Sequence, residues 1–409
     1  MNRDDETPKL REVPVSAGRR GTATLVLFAV LTALSSVVLD VRPTQVIAQD
    51  AAPPMAIEDP LSIVVPRIRA ALAQSSTRLV RLSFWGASHT AQDQYTGMLR
   101  ARLQARFGDG GAGAFMPAPP AAFYERRDVS LVATSGLSGI EAVSATRPSP
   151  MGAMGMALDA RGSGMARFTV LHQLRAHVRV FARAHPLQGE QTARVSVRYG
   201  ATQVEREMAS NVDAILELDA DVTPSEAFEI RASRARLFGV SVEARNGVVV
   251  DSFGVSGARA EHAERWDDPT FQSSVRALAP DVVFLAYGTN ESSGTRPVAE
   301  HARALESMID RVRHAAPSAP CVVIGPSNYP FQRGGEWVVR PRAAEVRSAF
   351  RAAAIGRGCG YVDLIAFQGG ESNLEQWERD GLVLGDRVHM SDAGHERLAA
   401  ALERAIVGP

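Results

Sequence analysis

The sequence has little lysine, little cysteine and no net charge. Lys9 is the only lysine among 45 basic residues, which we attribute to codon usage, and 45 acidic residues balance them. A protein that binds nucleic acid by neutralising phosphates needs an excess of basic residues, so this composition argues against that class. The two cysteines, Cys321 and Cys359, are too few for a disulfide scaffold or a thiolate zinc site.

What remains is the composition of a globular protein with a core. The chain has 409 residues, of which 45% are hydrophobic and 22% are charged. A chain of this length predicts two or three folding units.

The N-terminal segment has the pattern of an export signal. Arg19 and Arg20 precede an uncharged apolar run over residues 21–39, and small residues lead up to Ala48. This order is typical of a secretory signal over residues 1–48, cleaved near Ala48. The apolar run also just reaches the length of a membrane span, so an uncleaved anchor remains open. Both interpretations place the rest of the protein in the periplasm or outside the cell.

Residues 49–60 are rich in alanine and proline and are expected to form a linker. The patterns that follow predict an α/β domain in two parts, 61–120 and 246–409. Short apolar runs predict strands buried on both faces: RLVRLSFWG, GVVVDSF, DVVFLAYG, CVVIGP and YVDLIAF. Helical patterns lie near Gln92–Phe107, Val298–Ala315, Ala343–Arg357 and Ser391–Ala405. The alternation predicts a doubly wound parallel sheet.

The segment between these parts has a different periodicity. From residue 121 to residue 245, runs such as ARFTVL, HVRVFA, ARVSVRYG and AFEIRAS alternate with period two. This pattern predicts an antiparallel sandwich or jelly roll, inserted between the first helix and the second strand. The glycine-rich stretch after Phe107, up to about Pro120, is expected to be irregular.

Polar or flexible residues follow three of the predicted strands. Ser88 follows the first in GASH, Gly257 follows the second in GVSGA with Gly254 as the alternative, and Asn290 follows the third in YGTNE. Ligands of such sheets bind at the carboxyl ends of the strands. Each pattern alone is weak, because serine before a helix is commonly an N-cap and asparagine is a common turn residue.

Asp386 and His389 precede the last helix, in DRVH. This spacing lets the carboxylate orient the imidazole while the imidazole acts as a general base. An Asp-x-x-His pattern by itself is often only a helix start. The order and placement of all four patterns together are more specific than any one of them.

With these residues in this order, the sequence resembles the SGNH/GDSL hydrolase family over about Leu61–Pro120 and Arg245–Pro409. The resemblance implies a flavodoxin-like three-layer fold with a Ser88, His389 and Asp386 triad and no cofactor or metal. It also implies an oxyanion hole made by the amides of Ser88 and Gly257 and the side chain of Asn290.

A closer resemblance concerns the stretch WGASHTAQDQYTGMLRARLQARFGDGGAGAF, which is similar to the first block of peptidoglycan O-acetylesterases. Members of that subgroup carry a carbohydrate-binding-like β-domain inserted after the first helix. The resemblance implies an acylated glycan substrate, with peptidoglycan as one example.

The sequence departs from the family pattern at Ala87, where the family has aspartate. The aspartate is not the triad acid, but its loss removes a polar group beside the nucleophile. Two other interpretations stay open, an acyltransferase that uses the same site and a glycan-binding protein with weakened catalysis, and Ala87 favours the second of them.

Other residue types receive structural interpretations. Cys321 and Cys359 are predicted at the same end of neighbouring strands, where a disulfide and two buried thiols are equally plausible. His172, His177 and His185 lack metal-ligand spacing. The four tryptophans could stack on sugars but are more commonly core residues: Trp85, Trp266, Trp337 and Trp377.

Overall fold

The computed structural model describes residues 55–146, 148–185, 192–209 and 212–408. The predicted export segment, with its alternative as an anchor over residues 21–39, lies outside the described residues. No helix within the described ranges is long and apolar enough to cross a membrane. The last part of the expected linker is described, and there Glu58 exchanges two backbone hydrogen bonds with Tyr361.

The described residues form the following strands and helices. The strands are β1 (Leu79–Gly86), β2 (Gly111–Phe115), β3 (Val129–Ser135), β4 (Ser138–Glu141), β5 (Met156–Val170), β6 (Leu174–Ala184), β7 (Ala193–Tyr199), β8 (Thr202–Met208), β9 (Asp213–Val222), β10 (Phe228–Glu243), β11 (Gly247–Gly254), β12 (Val282–Ala286), β13 (Cys321–Ile324), β14 (Phe331–Arg333), β15 (Glu336–Val338) and β16 (Gly360–Val362). The helices are α1 (Val64–Leu72), α2 (Ser88–Ala91), α3 (Gln94–Phe107), α4 (Asp268–Leu278), α5 (Val298–Ala315), α6 (Pro341–Gly356), α7 (Leu364–Phe367), α8 (Leu374–Arg379) and α9 (Asp392–Val407).

Five strands form a parallel sheet in the order β11-β1-β12-β13-β16. The strands β11, β1 and β12 end side by side, because Gly86 pairs with both Gly254 and Ala286. The carboxyl ends of β1, β11 and β12 therefore meet at one edge. This is the predicted doubly wound parallel sheet.

Helices cover both faces of the parallel sheet. Leu82 and Phe84 of β1 pack with α1, α3 and α9, while Trp85 of the same strand belongs to a second cluster with α4, α5 and α6. Neighbouring side chains of a strand point to opposite faces, so an apolar strand can serve two cores. The predicted three-layer α/β fold is confirmed.

The other large sheet is antiparallel and contains nine strands. Its strand β10 has 16 residues and pairs with β5 and β7 in its first part and with β6 and β2 in its last part. One long strand thus joins the two parts of the sheet. The predicted antiparallel β region between the first helix and the second parallel strand is confirmed.

A buried ionic cluster connects the two sheets. The guanidinium of Arg81 on β1 lies 2.7 Å from the carboxylate of Asp251 on β11 and 2.6 Å from that of Glu243 on β10. Asp251 also accepts the backbone N–H of Ala114 on β2, at 2.8 Å. Burial tends to raise the pKa of Glu243, but Arg81 and Arg179 outweigh it and lower that pKa to about 2. Each buried charge therefore has a partner from the other sheet or the neighbouring strand.

The structure corrects several predicted element bounds. The apolar run YVDLIAF is a strand only as far as Val362, because the side chain of Asp363 accepts the N–H of Ala366 and begins α7. The glycine-rich stretch contains β2, which pairs with β10 and was not expected. The helices α1 and α4 were also not predicted.

Cys321 and Cys359 form a disulfide at the amino-terminal ends of β13 and β16. Of the two interpretations left open by the sequence, the structure has the bridge. It lies at the edge opposite the carboxyl ends of the strands.

Candidate active site

The turn that carries Ser88 packs directly on the ends of two strands. A Cβ atom at Gly86 would lie 2.4 Å from Oγ1 of Thr90, and one at Gly254 would lie 2.1 Å from the backbone nitrogen of Ala91. Neither distance is compatible with a side chain, so glycine is required at both strand ends. The short helix α2 can then begin at Ser88, immediately after β1.

Ser88 and His389 are brought together from opposite ends of the folded chain. The Nε2 atom of His389 lies 2.9 Å from Oγ of Ser88, and Nδ1 of His389 lies 2.6 Å from Oδ2 of Asp386. A carboxylate can only accept hydrogen bonds, so Nδ1 carries the hydrogen and Nε2 presents its lone pair to the serine. An imidazole held in this way can accept the hydroxyl proton.

Asp386 also shapes the loop that carries the imidazole. Its Oδ1 accepts the backbone N–H groups of Val388 and His389, both at 2.9 Å. Partial burial tends to raise the pKa of Asp386, but the hydrogen bonds from the side chain and backbone of His389 outweigh it and lower that pKa. The carboxylate is therefore held in its charged form, which suits an imidazole that becomes positive.

Gly257 and Asn290 lie on adjacent loops. The side-chain amide of Asn290 donates to the carbonyl oxygen of Ala258 at 2.9 Å. Gly257 has φ +73° and open space beside its Cα. Within the described residues, the N–H groups of Ser88 and Gly257 donate to no other residue. Gly254, the alternative to Gly257, instead lies in β11 against α2, so the open loop position favours Gly257.

The comparisons with known proteins address the family. Residues 229–397 match the model of the GDSL-like Lipase/Acylhydrolase family. The chain carries a GDSL-like acylhydrolase domain. The predicted resemblance to the GDSL hydrolases is thus confirmed over these residues, which are less than half of the chain.

Two known proteins extend the comparison. The GDSL lipase Rv0518 of Mycobacterium tuberculosis is 32% identical over 165 residues, which are 39% of this chain and 60% of that protein. A solved structure titled as a peptidoglycan O-acetylesterase in action superposes with a TM-score of 0.71 at 23% identity. The superposition covers 84% of this chain and 97% of the other, so the two share the fold across both sheets.

A buried carboxyl group joins the loop of Gly257 to the loop of Asn290. Glu291 is fully buried, and its two oxygens accept the N–H of Ala260 at 2.9 Å and that of Gly288 at 3.0 Å. Burial raises the pKa of Glu291 to about 7, although these hydrogen bonds act in the other direction. The loop of Gly257 and the loop of Asn290 are therefore held together by one side chain.

Ala87, which stands where the family has aspartate, is buried and lines a cavity of about 30 Å³. His89, Tyr95 and Tyr287 line the same cavity. A space of this size has room for about one water molecule. Ala87, which directly precedes Ser88, therefore borders a small space inside the protein.

The sequence motifs identified the residues that the structure brings together around Ser88, but they missed Glu291. Its position after Asn290 was visible, whereas its burial depends on loops that follow two different strands. A hydrogen bond of His89 was missed for the same reason, whereas the hairpin after β13 pairs neighbouring residues and was not predicted.

Proposed function

We propose that the protein is an exported serine esterase that hydrolyses O-acyl esters, in particular O-acetyl esters, on a glycan such as peptidoglycan. The observation that carries this proposal is the hydrogen-bonded series from Ser88 through His389 to Asp386. The fold shared with a structure titled as a peptidoglycan O-acetylesterase supports the substrate class.

The first half of the reaction forms an acyl-enzyme. His389 takes the proton of Ser88 as its oxygen attacks the ester carbonyl, and Asp386 stabilises the imidazolium. The amides of Ser88 and Gly257 and the side chain of Asn290 donate to the negative oxygen of the tetrahedral intermediate. The imidazolium then returns its proton to the sugar oxygen, which leaves as a hydroxyl.

The second half releases the acyl group. A water molecule gives a proton to His389 and attacks the acyl carbonyl, and the proton then returns to Ser88. The products are acetate and the deacetylated glycan. These steps use side chains, backbone amides and water.

Export is supported by the disulfide as well as by the N-terminal pattern. Structural disulfides persist in oxidising compartments and are rare in the cytosol. A bridge between Cys321 and Cys359 therefore favours a periplasmic or extracellular location. Sequencing the N-terminus of protein recovered from the producing cell would distinguish cleavage near Ala48 from an uncleaved anchor.

The deciding experiment measures acetate release from O-acetylated peptidoglycan, xylan and alginate side by side, with 4-nitrophenyl acetate as a small ester. Ser88→Ala is expected to lose activity on every substrate, and Asp386→Asn is expected to lower kcat about 10,000-fold. Ser225→Ala, on an exposed turn, is the matched control. Equal activity of wild type and Ser88→Ala would contradict the mechanism, and activity on the small ester alone would contradict the glycan substrate.

A further inference from the structure

The segment after β13 forms a hairpin, β14–β15, beside the candidate active site. At its start, the N–H of Ser327 donates to Oγ1 of Thr289 at 3.0 Å, and Thr289 precedes Asn290. At its end, the ring of Trp337 lies 5.1 Å from the guanidinium of Arg387, which follows Asp386. The hairpin segment therefore borders the site from the loop of Asn290 to the loop of Asp386.

Trp337 differs from the other three tryptophans of the chain. Trp85, Trp266 and Trp377 are between 1% and 4% exposed and belong to the cores. Trp337 is partly exposed and belongs to neither core. A large aromatic ring at the surface is common where a protein binds a ligand, since its burial on binding is favourable.

The indole is held in place by its neighbour. The guanidinium of Arg387 packs on the ring and also forms an ion pair with Glu378. No hydrogen bond joins the indole N–H of Trp337 to another described residue. Trp337 therefore presents a fixed aromatic surface and a free donor.

Charge distinguishes this surface from an apolar groove. The guanidinium of Arg340 lies 4.3 Å from the ring centre of Tyr329 and 5.0 Å from that of Phe331, and Arg333 also packs on Phe331. Burying these cations under an alkyl chain would cost their hydration. A sugar ring suits the mixture better, because it has an apolar C–H face and hydroxyl groups that accept hydrogen bonds.

We infer that the β14–β15 hairpin is a sugar-binding subsite, in which Trp337 packs on the sugar ring next to the ester cleaved at Ser88. This inference rests on the proposed glycan esterase function and deepens it. The subsite makes Trp337 a residue that determines specificity for a glycan over a small ester.

The test compares Trp337→Ala and Trp337→Phe with wild type on acetylated xylo-oligosaccharides, O-acetylated peptidoglycan fragments, 4-nitrophenyl acetate and 4-nitrophenyl octanoate. For Trp337→Ala, we expect the loss in kcat/KM on at least one glycan to exceed the loss on 4-nitrophenyl acetate tenfold or more. The loss should lie in KM, and Trp337→Phe should restore most of it. Leu171→Ala, exposed in the connection between β5 and β6, is the control that should match wild type.

Several results would overturn the inference. Equal losses on the glycans and the small ester would show a merely structural role, and the largest loss on the octanoate would show an acyl-chain site. Unchanged glycan kinetics in Trp337→Ala would reject the subsite while leaving the proposed function intact. If wild type cleaves only the small ester, the glycan substrate fails and the subsite fails with it.

Discussion

The Nε2 atom of His89 lies 3.1 Å from the carbonyl oxygen of Val388, so the residue after Ser88 is hydrogen-bonded to the residue before His389. A carbonyl can only accept, so Nε2 of His89 carries the hydrogen. Loss of hydration, together with the nearby ring of His389, lowers the pKa of His89 to about 4. His89 is therefore neutral at neutral pH and adds no charge beside the imidazole that accepts the proton.

This contact predicts a kinetic effect of His89. His89→Ala should lower kcat on 4-nitrophenyl acetate about tenfold, with KM nearly constant, because a lost hydrogen bond costs about 1 kcal/mol and His389 moves from its position. His89→Gln, which keeps an amide donor, should retain more of kcat. Unchanged kcat in His89→Ala would show that the contact does not position His389.

Glu291 predicts a pH dependence of stability. Its pKa is about 7 in the folded protein against 4.5 for the free side chain, so between these values the folded state binds more protons than the unfolded state. The free energy of unfolding should therefore fall as pH rises from 4.5 to 7, by up to about 3 kcal/mol from this group. Urea unfolding of wild type and Glu291→Gln at several pH values gives both free energies of unfolding. The value for wild type minus the value for Glu291→Gln should decrease as pH rises. Parallel curves would contradict the prediction.

The position of Gly254 predicts that a side chain there would displace the turn that carries Ser88. In Gly254→Ala the new Cβ would lie 2.1 Å from the backbone nitrogen of Ala91, so α2 must shift and carry Ser88 with it. We expect kcat to fall at least about 100-fold, with a loss of about 1–3 kcal/mol in stability. Gly162→Ala is the matched control, since nothing lies within 4 Å of its new Cβ. Activity near that of wild type in Gly254→Ala would show that the turn adapts.

Removal of the disulfide should lower the free energy of unfolding without changing kcat. The bridge closes a loop with a sequence separation of 38. Loop-closure entropy predicts that the double variant Cys321→Ala and Cys359→Ala loses about 4 kcal/mol of unfolding free energy. Its kcat should match wild type, because the bridge lies at the edge of the sheet opposite Ser88. A loss of kcat at temperatures where the variant remains folded would contradict this separation.

Local patterns predicted the parallel strands, since strands buried on both faces need continuous apolar runs. The helix Val298–Ala315 was predicted with the bounds that the structure has. The predicted end of the strand in YVDLIAF was wrong, because one side-chain hydrogen bond at Asp363 decides between strand and helix. The start of α4 had a readable signal, the capping Asp267, which the prediction did not use.

The candidate site was predictable only in part. Ser88, Asn290 and His389 stand at strand ends and before a helix, positions that a sequence reveals. The roles proposed for them remain predictions until the variants are measured. The positions of His89, Glu291 and Trp337 depend on contacts between segments far apart in the chain, and no local pattern encodes such contacts.

The ionic cluster of Arg81, Asp251 and Glu243 has a consequence for dissection of the protein. Cutting out the antiparallel region would remove Glu243, one of the two carboxylate partners of Arg81, and Asp251 would lose its Ala114 donor if β2 is displaced. Breaking a buried ion pair by removing one partner costs about 3–5 kcal/mol, a large share of the stability of an average domain. The parallel sheet thus depends on the antiparallel region for one partner of a buried charge, so the two sheets are expected to lose stability when they are separated.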